Sequence, residues 1–294
     1  MPTTEHLVPV APGVQLWVEE RGALDGPAVL LVMGAASSGL LWPEPLVDRL
    51  AQDHRVIRYD HRDTGRSTAA FASAPYALRD LATDAVAVLH ALGVQRAHAV
   101  GMSMGGLLVQ LLLLDHPDRL RSATLFCTGA LPGVPGEGAP PAPSAELLAW
   151  WATMGEPRDD AAELAWRVEH WRLLHGTGAP FDPVEWRDTE QRVRTHSGGF
   201  RPATAHASAD PGGLDRGADL ARVAVPTLVV EAPADPAYPP PNAQHLAGAV
   251  GTGPGGVPAT LVTVPGMGHA LAAAVLETFG DAVTGHLTAV DAGS

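Results

Sequence analysis

Hydrophobic and polar positions change their spacing repeatedly along the chain, alternating short strand-like runs with longer stretches of helical period. Val14-Gln15-Leu16-Trp17-Val18-Glu19 alternates apolar with polar, as a strand with one covered face does, and predicts an edge strand. The run 28–33, Ala-Val-Leu-Leu-Val-Met, is continuously apolar, as a strand covered on both faces of a parallel sheet must be. Further strands are predicted over 54–59, over the residues leading into Gly101, and over 121–127. Helical spacing fills the gaps at 42–51, at 76–92 with Gly93 as its stop, and from Met104 onward. This alternation predicts an α/β protein with a mostly parallel central sheet and helices on both faces.

The alternation breaks at Leu131, where proline and glycine dominate as far as Pro143. Helical patterns without strands come next. Ser144 caps a helix carrying Trp150, Trp151 and Met154; Asp159 or Asp160 opens another with Trp166 and Trp171; a third surrounds Trp186, Val193 and His196. The sheet pattern returns with a strand over 225–231, a helix over 242–250, a strand over 260–264 and a closing helix over 270–287. The expected organisation is a core in two parts, 1–130 and 222–294, with a helical cap inserted at 131–221.

Composition narrows the function. The 294 residues are 46% hydrophobic and 17% charged, enough to bury a large core. A net charge of −13 with no Lys/Arg-rich run repels polyanions, so no nucleic-acid partner is expected. Cys127 is the only cysteine, which rules out an intramolecular disulfide and points to a reducing, cytoplasmic setting. The opening Met1-Pro2-Thr3-Thr4-Glu5 lacks the basic and apolar regions of an export signal. The apolar run 107–114 is interrupted by Gln110 and falls well short of the roughly 20 residues of a membrane span, so no membrane association is expected.

The chemistry centres on Gly101-Met102-Ser103-Met104-Gly105, a G-x-S-x-G match between a strand and a helix. Glycines there permit a turn tight enough to strain the serine, and the helix N-terminus below it favours the oxyanion formed when Ser Oγ attacks a carbonyl. Serine needs a base, and the base needs an acid to fix its tautomer. Of thirteen histidines, His269 alone sits on a glycine-bordered loop just past a late core strand; His90, His98, His170 and His175 fall within helical or strand segments. Asp235, between Pro233 and Pro236, occupies the loop after the preceding core strand, with Glu231 as its nearest rival. Backbone N–H groups of Met104 and Ala35 are the expected oxyanion donors, with a hydroxyl of Ser37 or Ser38 as an alternative. Asp60 and Arg62 are expected to brace their loop, and no His/Asp/Glu spacing suggests a metal or other cofactor site.

Elbow, acid loop, histidine loop and the polar loop 60–67 occur in the order of the α/β-hydrolase superfamily, which the chain resembles over nearly its whole length. More narrowly, Leu31-Val32-Met33-Gly34, the stretch 56–68 from Val-Ile-Arg-Tyr-Asp-His to Ser67-Thr68, and Val264-Pro265-Gly266-Met267-Gly268-His269 resemble the anthracycline methylesterases. Ala35-Ala36 departs from the second glycine expected there. The resemblance implies hydrolysis, by water, of the carbomethoxy ester of an aromatic polyketide, with Ser103, Asp235 and His269 catalytic. Met102 and the cap residues Trp150, Trp151, Trp166, Trp171 and Trp186 are candidates for the wall against the flat ring system, though most of the tryptophans are expected to pack helices together. Other carboxylesterase, lactonase, perhydrolase or carbon–carbon hydrolase chemistry uses the same triad, and a binding protein would keep only the pocket.

Overall fold

The continuously apolar run forms β3 (Ala28–Val32), buried along its whole length, and the sheet extends from it in both directions. The computed structural model describes residues 3–136, 138, 140–202 and 204–293; Met1, Pro2, Glu137, Ala139, Ala203 and Ser294, which fall within the expected core and cap segments, lie outside the described residues. Among the described residues the other strands are β1 (Thr3–Ala11), β2 (Val14–Gly22), β4 (Arg55–Tyr59), β5 (Ala97–Met102), β6 (Leu120–Phe126), β7 (Thr227–Glu231) and β8 (Thr260–Thr263). Their order is β1-β2-β4-β3-β5-β6-β7-β8. β1 and β2 run antiparallel to their neighbours; from β4 to β8 every pairing is parallel.

The period-two run at 14–19 is therefore not an edge strand. β1 covers it, pairing from Thr3↔Arg21 to Ala11↔Val14. β1 escapes notice in the sequence because it faces outward along nearly its whole length, with Val8 alone buried and Pro9 inside it.

Alternate residues of β3 point to opposite faces of the sheet. Leu30 and Val32 pack with α2 (Leu78–Ala91) and α3 (Met104–Asp115) through residues such as Leu81, Leu108 and Leu112. Val29 and Leu31 pack with α1 (Glu44–Leu50) and α9 (Leu276–Ala292) through Val47, Phe279 and Val283. α8 (Asn242–Ala249) adds Leu246 to the first face.

Three helix starts lie later than the hydrophobic pattern suggests, among them that of α2, which begins at Leu78 after the extended Ala77. Trp42 precedes Pro43, whose ring disfavours helical geometry before it, so Trp42 is extended and α1 begins at Glu44. At 270–275 the chain is not yet helical: Ala272 is extended and one 3-10 turn over Ala273–Val275 precedes α9, which begins at Leu276 in an alanine-rich stretch without a polar cap.

Between β6 and β7 the described residues contain no strand. They form α4 (Ala145–Trp151), α5 (Asp160–His175), α6 (Pro183–Ser197) and the short, unpredicted α7 (Thr204–Ser208). Ser144 Oγ accepts from Leu147 N at 3.2 Å. Asp159, not Asp160, caps α5, accepting from Ala162 N at 2.8 Å. Among the described residues no helix is long and apolar enough to cross a membrane.

Candidate active site

Ser103 stands between the end of β5 and the start of α3 with φ 55° and ψ −122°, a conformation disfavoured for any residue with a Cβ. The neighbouring glycines make the turn sterically possible. A Cβ on Gly105 would lie 2.1 Å from the Val32 carbonyl oxygen, and one on Gly101 2.5 Å from that of Gly105. Ala36, Asp63 and Cys127 are the other described non-glycine residues with positive φ. They follow β3, β4 and β6, so backbone strain gathers at one end of the sheet, around the serine.

Asp235 and His269 lie on the loops after β7 and β8 and meet there: His269 Nδ1 is 2.8 Å from Asp235 Oδ2. Asp235 Oδ1 accepts from the amides of Ala237 and Tyr238 at 2.7 and 2.9 Å. Burial opposes the charged form of this carboxyl, but His269 and the two amides together hold its pKa below the ordinary aspartate value. An ionised Asp235 places the proton on Nδ1 and leaves Nε2 as the basic nitrogen. The His269 amide donates to the Leu174 carbonyl at 2.7 Å, and the Tyr238 ring stacks on the imidazole at 5.9 Å. Glu231, the rival acid, is engaged elsewhere, by Thr263 Oγ1 at 2.7 Å and by Gln244. The position after β6 carries Cys127, whose Sγ donates to the Gly268 carbonyl at 3.4 Å and whose pKa burial raises.

The loop after β3 is held from several sides. Ser38 Oγ donates to Asp60 at 2.6 Å and Ser37 Oγ to the Ala35 carbonyl at 3.1 Å, so both hydroxyls serve the turn. Asp60, fully buried, also accepts from the amides of Gly39 and Arg66, each at 2.8 Å, and faces His196 at 2.7 Å. Arg62 makes a forked pair with Asp84 of α2 at 2.6 and 2.7 Å. Both residues brace the loop, as their positions in the sequence suggest. Met104, the first residue of α3, and Ala35 border the cavity beside Ser103.

That cavity encloses about 430 Å³ and is bordered by both Ser103 and His269. Met102 contributes to its wall, together with Trp151, Trp166 and Trp171. Trp150 and Trp186 do not reach it. Trp150 stacks on Trp166 with ring centres 5.7 Å apart, and Trp186 on Trp171 at 4.2 Å, so each supports a tryptophan that does face the cavity. Tyr238, Leu78, His206 and His170 also line the wall, and nothing in the sequence marks them for it; His170 lies within the helical pattern of α5. His170 Nε2 accepts from Trp151 Nε1 at 2.8 Å, which leaves its proton on Nδ1; burial lowers its pKa to about 4, so the ring is neutral.

Two groups of described side chains have a spacing that would suit a metal ion. One is Asp235, His269 and Cys127, of which the first two are already hydrogen-bonded to each other. The other, His54, His98 and Asp291, comes from three distant segments and has no signature in the sequence. Its members are paired as well: His98 with Ser122 Oγ at 2.7 Å and Asp291 at 3.1 Å, and Asp291 also with Arg121 at 3.2 Å.

Residues 27–272 match the family described as the alpha/beta hydrolase fold. The chain belongs to the α/β-hydrolase family. It is 42% identical over 291 residues to rhodomycin D methylesterase DnrP of Streptomyces peucetius and to rhodomycin D methylesterase DauP of Streptomyces sp. strain C5, spanning 94% of this chain and 96% of each relative. Among solved structures, a hydrolase from Pseudomonas aeruginosa PA01 superposes with a TM-score of 0.73 at 25% identity, covering 97% of this chain and 98% of that one. The α/β-hydrolase sheet and the kinship with anthracycline methylesterases are both borne out.

Proposed function

We propose that this hydrolase cleaves the carbomethoxy ester of an anthracycline to the free acid in antibiotic biosynthesis, working through an acyl-enzyme on Ser103. The observation that carries the reading is the 42% identity to two rhodomycin D methylesterases over 94% of the chain. The apolar cavity faced by Trp151, Trp166 and Trp171 supports it, because aromatic faces stack well on a fused ring system. A reducing, cytoplasmic setting accords with the single buried Cys127.

In this mechanism Ser103 Oγ attacks the ester carbonyl while His269 Nε2 takes its proton. The new oxyanion accepts hydrogen bonds from the backbone N–H groups of Met104 and Ala35. Asp235 keeps the His269 proton on Nδ1 and stabilises the imidazolium that forms. As the tetrahedral intermediate collapses, the bond to methoxide breaks and His269 gives its proton to the departing oxygen, releasing methanol. Water then attacks the acyl-enzyme with the same proton relay, and the carboxylic acid leaves.

The test is to give the purified protein rhodomycin D and a panel of simple acyl esters, and to follow methanol release and product mass. Loss of one CH2 from the anthracycline is the expected result. Turnover of p-nitrophenyl acetate with no reaction of the anthracycline would refute the substrate assignment.

A further inference from the structure

The loop that carries Ala35 is gripped at both ends by histidines. His61 Nε2 donates to the Met33 carbonyl at 3.0 Å, and burial keeps that ring neutral by lowering its pKa to about 3. At the other end the Ala36 amide donates to His206 Nδ1 at 2.8 Å. An amide can only donate, so Nδ1 of His206 carries no proton. The proton is on Nε2, which donates to the Arg62 carbonyl at 2.9 Å. Two backbone partners of opposite polarity thus require one neutral tautomer. The ring is buried and packs edge-on against His61 at 5.8 Å and Tyr76 at 6.4 Å.

His206 belongs to α7, within the segment between β6 and β7, whereas Ala36 and Arg62 belong to core loops after β3 and β4. Ala36 is also one of the residues with positive φ, at 56°, a conformation that persists only where its surroundings enforce it. The bond from its amide to His206 is such an enforcing contact, and it occupies the Ala36 N–H.

We propose that His206 is a positioning residue for the oxyanion hole: by fixing the Ala36 amide it sets the direction of the adjacent Ala35 N–H, and it makes that donor's geometry depend on the inserted segment being docked. The inference rests on the reading of Ser103 as nucleophile with Ala35 and Met104 as donors. It explains how a positive φ is tolerated at Ala36, an alanine: the strain is balanced by a contact from outside the loop.

The test compares His206→Asn with His206→Gln. Asn places an oxygen near the site of Nδ1 and can still accept from Ala36, whereas Gln places its amide near Nε2 and can serve only Arg62. The readouts are methyl-ester turnover and the rate at which a fluorophosphonate labels Ser103, followed by intact mass; in the labelling, a Ser Oγ–P bond forms, fluoride leaves and His269 takes the proton. Deleting one oxyanion donor costs about 100-fold or more in turnover, so a displaced one should slow both readouts at least about tenfold in His206→Gln, with KM within about twofold. His206→Asn should stay within about threefold of the native rate. Native rates in His206→Gln, or equal losses in the two variants, would overturn the inference. Native protein that labels at Ser103 but leaves the methyl ester intact loses the substrate reading alone, and native protein that does not label at all overturns this inference together with the nucleophile assignment.

Discussion

His196 at the end of α6 meets Asp60 in the loop after β4, Nε2 to Oδ2 at 2.7 Å, and the Trp17 ring closes over the imidazole edge-on at 4.4 Å. The contact joins the helices between β6 and β7 to a loop of the sheet. Asp60 simultaneously orders Ser38, Gly39 and Arg66, so one carboxylate holds the loop after β3 and α6 together. Replacing it by Asn should strand at least one buried donor and destabilise the protein by about 3 kcal/mol. Urea denaturation of Asp60→Asn checks this. His196→Ala, at the rim of the same contact, should cost less in global stability while raising proteolytic nicking of the segment between β6 and β7.

Asp235→Asn tests the acid. The amide keeps the shape of the carboxylate but removes the charge that fixes the His269 tautomer, so kcat should fall about a thousandfold or more with KM little changed. Steady-state kinetics on the best ester substrate decide it. A loss smaller than tenfold would mean that another group orients the imidazole.

Steric necessity can be separated from habit at two glycines. Gly105→Ala would drive a Cβ into the Val32 and Met33 carbonyl oxygens, at 2.1 and 2.7 Å, and neither is a movable side-chain tip. Soluble yield should collapse, or stability fall by more than about 3 kcal/mol. Gly248 in α8 is exposed, and a Cβ added there would meet nothing within 4 Å, so Gly248→Ala should raise stability by about 0.5–1 kcal/mol. Thermal unfolding of the pair reads both signs.

Trp151 and Trp150 are neighbours with different surroundings. Trp151 borders the cavity and anchors His170, while Trp150 stacks behind Trp166. Trp151→Ala should raise KM for a polycyclic ester at least about tenfold and leave a small acyl ester nearly unaffected, because the lost stacking area matters only to a substrate that reaches it. Trp150→Ala should lower the unfolding temperature and leave KM within about twofold.

This division between the two tryptophans marks the boundary of what the sequence discloses. Ser103, Asp235 and His269 are legible because parallel strands deliver their C-terminal loops to one edge, so position along the chain already implies proximity. β3 is legible because burial on both faces demands an unbroken apolar run. His206 is not: it becomes relevant only when the five-residue helix α7 docks on two backbone groups more than a hundred residues away, and backbone groups leave no trace in residue identity. Trp150 and Trp186 mislead for the converse reason. Helical period says that they lie on a covered face but not whether a neighbour or a substrate covers it.

The buried histidine cluster at the opposite end of β5 from Ser103 predicts a pH dependence of stability. His98 is fully buried, and burial, with His54 and Arg121 nearby, lowers its pKa to about 4 despite the attraction of Asp291. An unfolded histidine titrates near 6.5, so between those values the unfolded chain binds the proton that the folded chain refuses. Stability from this group is therefore complete above pH 6.5 and is lost as the pH falls toward 4. At pH 5 the loss from His98 alone amounts to about 2 kcal/mol relative to pH 7. His98→Gln removes the titrating group and should be less stable than native at pH 7, where the bonds to Ser122 and Asp291 are disturbed, yet lose less on acidification. Urea midpoints of both proteins at pH 7 and pH 5 measure the two slopes, and parallel slopes would show that His98 does not stay neutral in the fold.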